Sequence, residues 1–272
     1  MVRAEEFWGN TDCFRMLYRH RTLIWRLTVL DFKVRYVGSR LGLLWMLAMP
    51  LLVLGTYLLL FGKILGVRPD PGLSGLDYGL LIACGLLPWL GFSEGVLRGT
   101  GSVLAQRNLM KSTVFPMELI PVTAVFAGLA GQLCGLAMLL LVLGVRGALG
   151  FHVLLLPLLV ALQALLTIGI VWFLSCINIL YRDTSQAIGL LMVLLMFLSP
   201  IAYTQAMVPA GLELLVRLNP LSYLMEGYRQ VLLFNHAPNL PALAVFAVLA
   251  LVALLAGHRY FMRLRRVLPD FV

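Results

Sequence analysis

The feature that most constrains this chain is a series of apolar runs, each about as long as a helix that crosses a bilayer. The stretches 119–143 and 151–177 contain no Asp, Glu, Lys or Arg at all. Roughly 20 apolar residues span a hydrocarbon core as a helix, and in lipid a segment must satisfy its own backbone polar groups, which a helix does. Six runs are read, at roughly 41–62, 78–98, 119–143, 151–177, 186–204 and 240–261. With 61% hydrophobic and 12% charged residues in a 272-residue chain, one water-soluble core could not hide this surface; soluble domains carry about 25% charged residues. The expectation is an all-α polytopic membrane protein. No Ser- or Gly-rich linker and no internal repeat divides it, so it reads as one membrane domain.

The 21 Lys and Arg against 12 Asp and Glu invite a nucleic-acid reading until the charges are located. Most lie near the ends of apolar runs, where they report topology. With the N-terminus inside, sixteen basic residues fall on the cytoplasmic side and five (Lys63, Arg68, Arg146, Arg217 and Arg229) outside. Both termini are therefore expected in the cytoplasm, with no nucleic-acid partner. Cys13, Cys84, Cys134 and Cys176 are scattered without metal-ligand spacing and read as small apolar residues. Residues 1–40 hold eight basic side chains and no long apolar run, so no cleavable signal peptide is expected.

Residues 14–38 precede the first span. Leu23, Leu27, Leu30, Val34 and Val37 share one helical face, bordered by Arg19, Arg26 and Lys33 at seven-residue spacing. An apolar face flanked by long cations describes a helix lying in the membrane interface; the alternative is a surface helix packed on a soluble partner. The stretch 205–239 is too apolar for a plain external loop and is broken by prolines. Pro209 and Pro220 suit first helical positions, and Asn219 is a good N-cap. Two helices of about three turns are expected, joined at Asn219-Pro220 and too short to span. They either re-enter the bilayer, covered by protein or a wet cavity, or rest on its outer surface.

The chemistry that is missing narrows function. Gly62-Lys63 lacks the rest of a phosphate-binding loop. His20, His152, His236 and His258 are isolated, so no metal site is expected. Gly99-Thr100-Gly101-Ser102 follows no strand, and no catalytic Ser, His and Asp arrangement stands out. Glu94 is a carboxylate inside an apolar run, either a functional group such as a proton relay or one half of an i,i+4 pair with Arg98. Among the aromatic residues Trp45, Tyr57, Phe61, Trp89, Phe92, Phe197 and Tyr203 are candidates to line a pathway, where flat rings suit sugar rings; most aromatics in such spans are anchors or packing.

Several ordered motifs resemble the ABC-2 type permeases, in particular the polysaccharide and O-antigen export branch. They are Asp31-Phe32-Lys33-Val34-Arg35-Tyr36 with Gly38-Ser39-Arg40-Leu41-Gly42-Leu43-Leu44-Trp45 and Pro50-Leu51; Gly85-Leu86-Leu87-Pro88-Trp89 with Phe92-Ser93-Glu94; Arg107-Asn108-Leu109-Met110-Lys111 with Val114-Phe115-Pro116-Met117-Glu118-Leu119-Ile120-Pro121; and Leu198-Ser199-Pro200-Ile201, Val208-Pro209, Asn219-Pro220-Leu221-Ser222-Tyr223 and Glu226-Gly227-Tyr228-Arg229. The resemblance implies an ABC-2 exporter-like fold: an N-terminal interface helix in 1–40, a transmembrane domain over 41–262 with re-entrant helices at about 205–235, and a cytoplasmic tail at 263–272. It implies a homodimer that recruits two copies of a P-loop ABC ATPase. ATP and Mg would then sit on that partner, with no cofactor on this chain and no enzyme activity of its own.

The family's coupling loop carries over to Arg107, Asn108, Leu109, Lys111, Phe115, Pro116 and Glu118; Thr113 and Met117 stand where relatives often have a charge. The re-entrant exit pair carries over to Pro200, Pro209, Asn219, Pro220, Tyr223, Glu226 and Arg229. Arg19, Arg26, Lys33 and Arg35 would face lipid head groups and the pyrophosphate of a polyprenyl-linked polysaccharide. The function so implied is ATP-driven export of lipid-linked polysaccharide, O-antigen first, across the bacterial inner membrane. Capsule or teichoic-acid export and ABC-2 drug or lipid export are the alternatives within transport. A polyprenyl-lipid enzyme or a self-contained channel is the alternative outside it.

Overall fold

The computed structural model describes residues 13–36, 42, 44–66, 75–106, 116–204, 207–208, 211 and 213–265. Every regular element among them is helical. In chain order these are α1 (Cys13–Arg19), α2 (Arg21–Tyr36), α3 (Leu44–Tyr57) continued by a π-helical stretch (Leu58–Ile64), α4 (Gly75–Ala105) and α5 (Leu119–Val145). A short 3₁₀ turn (Phe151–Leu155) leads into α6 (Leu156–Leu180), followed by α7 (Thr184–Leu198), α8 (Glu213–Leu218), α9 (Pro220–Leu232) and α10 (Leu240–Leu264). Among the described residues, five helical stretches are long and apolar enough to cross a membrane: Leu44–Ile64, Leu76–Ala105, Leu119–Val145, Phe151–Leu180 and Leu240–Leu264.

The run expected at 186–204 forms only the 15-residue α7, about 22 Å long against a core of about 30 Å. The cause is local. Pro200 disfavours helical backbone in the residue before it, and Ser199 is extended, at φ −83° and ψ 140°. The outer pair differs from expectation in the same way. α9 runs 13 residues, but α8 is six residues rather than three turns. Gly211 has φ +107°, which a right-handed helix cannot contain, so α8 can begin only after it.

α4 is the central element. It packs along α5 on one side and α6 on another, and touches α9 and α7 as well. Its side chains from Leu81 to Trp89 are all buried. α10 lies along α6, and there the backbones meet: a Cβ built on Gly257 would fall 2.0 Å from the Gly169 carbonyl oxygen. Small residues that let helix backbones approach are the usual membrane packing device, since lipid leaves no hydrophobic drive between apolar helices. α3 stands at the margin, with Leu44, Met49 and Leu52 more than half exposed.

α1 and α2 form one nearly continuous rod, because the His20 N–H still reaches the Met16 carbonyl (3.1 Å) and the Ile24 N–H the His20 carbonyl (2.9 Å). α2 rests on α5, and its Ile24 and Thr28 are buried. Of the expected apolar face, Leu23 and Leu27 are half-buried and Leu30 and Val34 are exposed; Val37 lies outside the described residues. The buried stripe is thus rotated one position from the purely apolar one, toward the side that carries Asp31, whose carboxylate pairs with Arg98 of α4.

Candidate functional site

Three polar clusters stand out among the described residues of the apolar bundle. The first lies at the end where α4 finishes and α5 begins. The Arg98 Nη2 donates to Asp31 Oδ2 at 2.6 Å, and its Nη1 is 3.7 Å from Glu94 Oε1. One guanidinium therefore joins the i,i+4 partner foreseen from the sequence to a carboxylate on α2 that sequence spacing did not link to it. Its fork of five donors suits such bridging. Nearby, Glu118 is fully buried at the start of α5, and its carboxylate accepts from Arg265 Nη1 at 3.4 Å. Its carbonyl accepts from the Trp172 indole at 2.9 Å. The α10 end, the α5 start and α6 are thereby tied at one point. Pro116 precedes it, half-buried, while Arg107, Asn108, Leu109, Lys111 and Phe115 lie outside the described residues.

The second cluster is at the opposite end. Arg229, on α9, is 1% exposed. Its Nη2 donates to the Pro200 carbonyl at 2.5 Å and to the Ile201 carbonyl at 2.8 Å, and its Nη1 to the Tyr203 carbonyl at 3.1 Å. These carbonyls belong to the turn where Pro200 ends α7 and no ladder can use them. The Tyr78 hydroxyl donates to the Ala202 carbonyl (3.0 Å) and the Tyr203 hydroxyl to that of Leu198 (2.9 Å). Asn219 accepts from the Leu221 N–H at 3.0 Å and donates to the Ser199 hydroxyl at 2.9 Å, so one side chain caps α9 and fastens it to the end of α7. A Cβ on Gly85 would lie 3.1 Å from Ile201 and 3.2 Å from Arg229, which seats the turn directly on α4. Glu226 is 3.9 Å from Arg229, and the half-buried Tyr223 donates to the Arg217 carbonyl at 2.8 Å. Pro220 occupies the first turn of α9; Pro209 lies outside the described residues.

The third cluster sits between them and joins α5, α6 and α9. Gln132 and Gln163 exchange amide hydrogen bonds at 2.7 and 2.9 Å. Tyr228 accepts from Gln132 (3.0 Å) and donates to Gln163 (3.1 Å), and Gln163 also donates to the Pro88 carbonyl of α4 at 3.0 Å. All three side chains are buried. Sequence reading passed over these residues, although two glutamines within apolar runs are the signal: an amide in hydrocarbon must find a partner.

The other residues singled out separate by location. Trp89 and Phe92 are buried beside each other, rings 6.2 Å apart, and the buried Tyr57 stacks on Phe61 at 5.5 Å. Trp45 and Phe197 are exposed, while Tyr203 is half-buried at the Arg229 turn. Arg19, Arg26 and Lys33 are exposed along α1 and α2; Arg35 lies on α2 near its end, its side chain outside the described ones.

A helical membrane bundle with a marginal first span, a proline-broken turn and a short capped helix behind it is the architecture to be placed among known proteins. The family described as ABC-2 type transporter matches residues 22–233, and the chain belongs to that family. It is 30% identical over 253 residues to the O-antigen export system permease protein RfbA of Myxococcus xanthus, covering 91% of this chain and 94% of that one. It is 28% identical over 238 residues to an O-antigen export system permease protein RfbA of Klebsiella pneumoniae, covering 86% and 89%.

Proposed function

We propose that the chain is the permease half of an ABC exporter of lipid-linked O-antigen polysaccharide in a bacterial inner membrane. The observation that carries this reading is the similarity to two O-antigen export permeases along nearly their whole length. The functional unit is a homodimer with two P-loop ATPase subunits, which hold ATP and Mg. Both termini are cytoplasmic, in keeping with the basic residues counted by side. α7 serves as a sixth, short span, and α8 and α9 re-enter from the outer side. Their broken backbone is acceptable there because side chains satisfy it, as Arg229 does for the 200–203 turn.

The ATPase docks on the loop from about 102 to 118, carried by Arg107, Asn108, Leu109, Lys111, Phe115, Pro116 and Glu118. ATP binding draws the two loops together. α4 carries the movement, because it runs from that loop to the Gly85 contact with the Arg229 turn. α2 follows through the Asp31–Arg98 bond, and the cations of α1 and α2, Arg19, Arg26, Lys33 and Arg35, receive the pyrophosphate end of the polyprenyl-linked polymer. The seam between the protomers, with Trp45, Phe197 and the other exposed apolar residues of α3 and α7 beside it, opens as the path for the sugar chain.

The test combines export with partner recovery. Deleting the gene in its host should abolish surface O-antigen and leave the lipid-linked polymer inside, with rescue by the wild-type gene. The chain purified in mild detergent should bring with it a P-loop ATPase, lost when 107–111 are replaced by alanine. Intact surface O-antigen with loss of another polymer would overturn the cargo, and a stable dimer without an ATPase would overturn the machine.

A further inference from the structure

The loop assigned to ATPase docking has two ends. One leaves α4 after Ala105, and the other enters the bundle as the start of α5. At that second end every residue from Met117 to Val125 is buried. The Leu119 and Ile120 N–H groups close turns onto the Pro116 and Met117 carbonyls at 3.0 and 3.1 Å. A close-packed interior transmits displacement with little compression. A push on this end therefore moves whatever the α5 start is fastened to.

It is fastened to α6 and α10 through Glu118. The buried stripe of α10 runs through Leu254, Gly257 and Phe261. Arg265 continues it one turn further, kept in helical register by its N–H on the Phe261 carbonyl at 2.9 Å. Its Nη1 donates to Glu118 Oε1 at 3.4 Å. The Trp172 indole donates to the Glu118 carbonyl at 2.9 Å, and the Trp172 ring lies 5.2 Å from that of His258 on α10. The rings of Phe173 and Tyr260, 4.7 Å apart, and the meeting of Gly169 with Gly257 hold α6 and α10 together as one body.

A purely structural ion pair is built differently. The Glu118 side chain is 1% exposed, yet its Oε2 has no hydrogen-bond partner, and neither has the buried His258 Nε2. Unpaired polar atoms in an apolar interior are costly and call for an explanation. The ionic contact that Glu118 does make is long, since charge-assisted N–H···O bonds run about 2.7–2.9 Å. In this state the carboxylate is held short of its best contacts, which is the mark of an element with a second, better-satisfied arrangement.

We infer that Arg265 is a positioning residue for transport: it grips the Glu118 end of the docking loop, so that movement imposed by the ATPase passes to α6 and α10 as a unit. The inference rests on the exporter reading and adds to α4 a second route out of the loop. Arg265 also explains why a charge at the very end of α10 continues a stripe that is otherwise apolar.

The test expresses the full chain with its ATPase in the deletion host and takes two readouts at equal membrane levels. One is surface O-antigen on the cells; the other is ATP hydrolysis by the complex recovered from them in mild detergent. Arg265→Gln keeps a donor but loses the charge. It should recover the ATPase at wild-type yield and hydrolyse ATP at the wild-type rate. Surface O-antigen should fall roughly tenfold, within the range usual for coupling between sites. Arg265→Lys restores the charge and should restore most of the export, and Arg263→Gln, at an exposed position of the same helix end, should change neither readout. Export unchanged in Arg265→Gln, or a lysine variant as poor as the glutamine one, would overturn the inference. So would hydrolysis and export falling in parallel, the sign of a contact that only supports the fold. A wild type that yields no ATPase, or that exports no O-antigen, would overturn the exporter reading itself and the inference with it.

Discussion

Replacing Gln163 by methionine tests whether the buried amide cluster holds the bundle together. Methionine keeps the unbranched length of glutamine and removes every polar atom of its side chain. Gln163 takes part in four side-chain hydrogen bonds: to the Pro88 carbonyl, to and from Gln132, and from Tyr228. Bonds of this kind within membrane bundles average about 0.6 kcal/mol each, so their loss comes to about 2–3 kcal/mol once the Gln132 oxygen is left unpaired in a dry site. For a chain of this size that corresponds to a fall of roughly 5–10 °C in the thermal midpoint.

The companion variant carries Gln132→Met, Gln163→Met and Tyr228→Phe together. It removes both sides of every bond among these three side chains and leaves only the Pro88 carbonyl without its side-chain donor, so it should recover most of the loss. Midpoints read by fluorescence-detected size exclusion in one detergent compare the three proteins. A single variant within about 1 °C of wild type, or a triple variant falling by the sum of its parts, would refute the reasoning.

Gly257→Ala should sharply reduce the yield of folded protein, because the new methyl group meets the Gly169 carbonyl at 2.0 Å, whereas Gly55→Ala, with nothing within 4 Å, should be recovered at wild-type yield on the same size-exclusion column. Arg229→Met strands three carbonyls of the 200–203 turn and should cost about 3 kcal/mol, with faster proteolysis at 205–212; Arg229→Lys should restore part of the loss, since an ammonium also donates but without the fork. Burial pushes the Cys13 thiol up to about 12, so its thiolate is scarce below that pH; peptide mapping should find Cys13 unmodified by maleimide in the native protein at pH 8 and modified after denaturation.

What the sequence made legible follows the range of the interaction. The apolar runs announce helices because lipid leaves the backbone no other partner, and Asn219-Pro220 announces a helix start because cap and first residue are adjacent. The contact of Glu94 with Arg98 is four residues long and belongs to the same class. The link from Arg98 to Asp31 spans 67 positions, and that from Gln132 to Tyr228 spans 96. No periodicity relates such residues, so only the cost of an unpaired amide or charge in hydrocarbon could have flagged that partners must exist. Arg229 shows the limit most clearly. Counted by position it is one more basic residue outside the membrane, yet its side chain is fully buried among carbonyls. Those carbonyls are exposed by Pro200, 29 positions earlier. Pro200 ends α7 by a local rule, and the stranded oxygens then need a donor that only the folded bundle supplies. The proline was readable and its consequence was not. The turn it creates is the element that joins α4, α7 and α9, and in the proposed exporter that junction is where movement of the coupling loop reaches the outer surface.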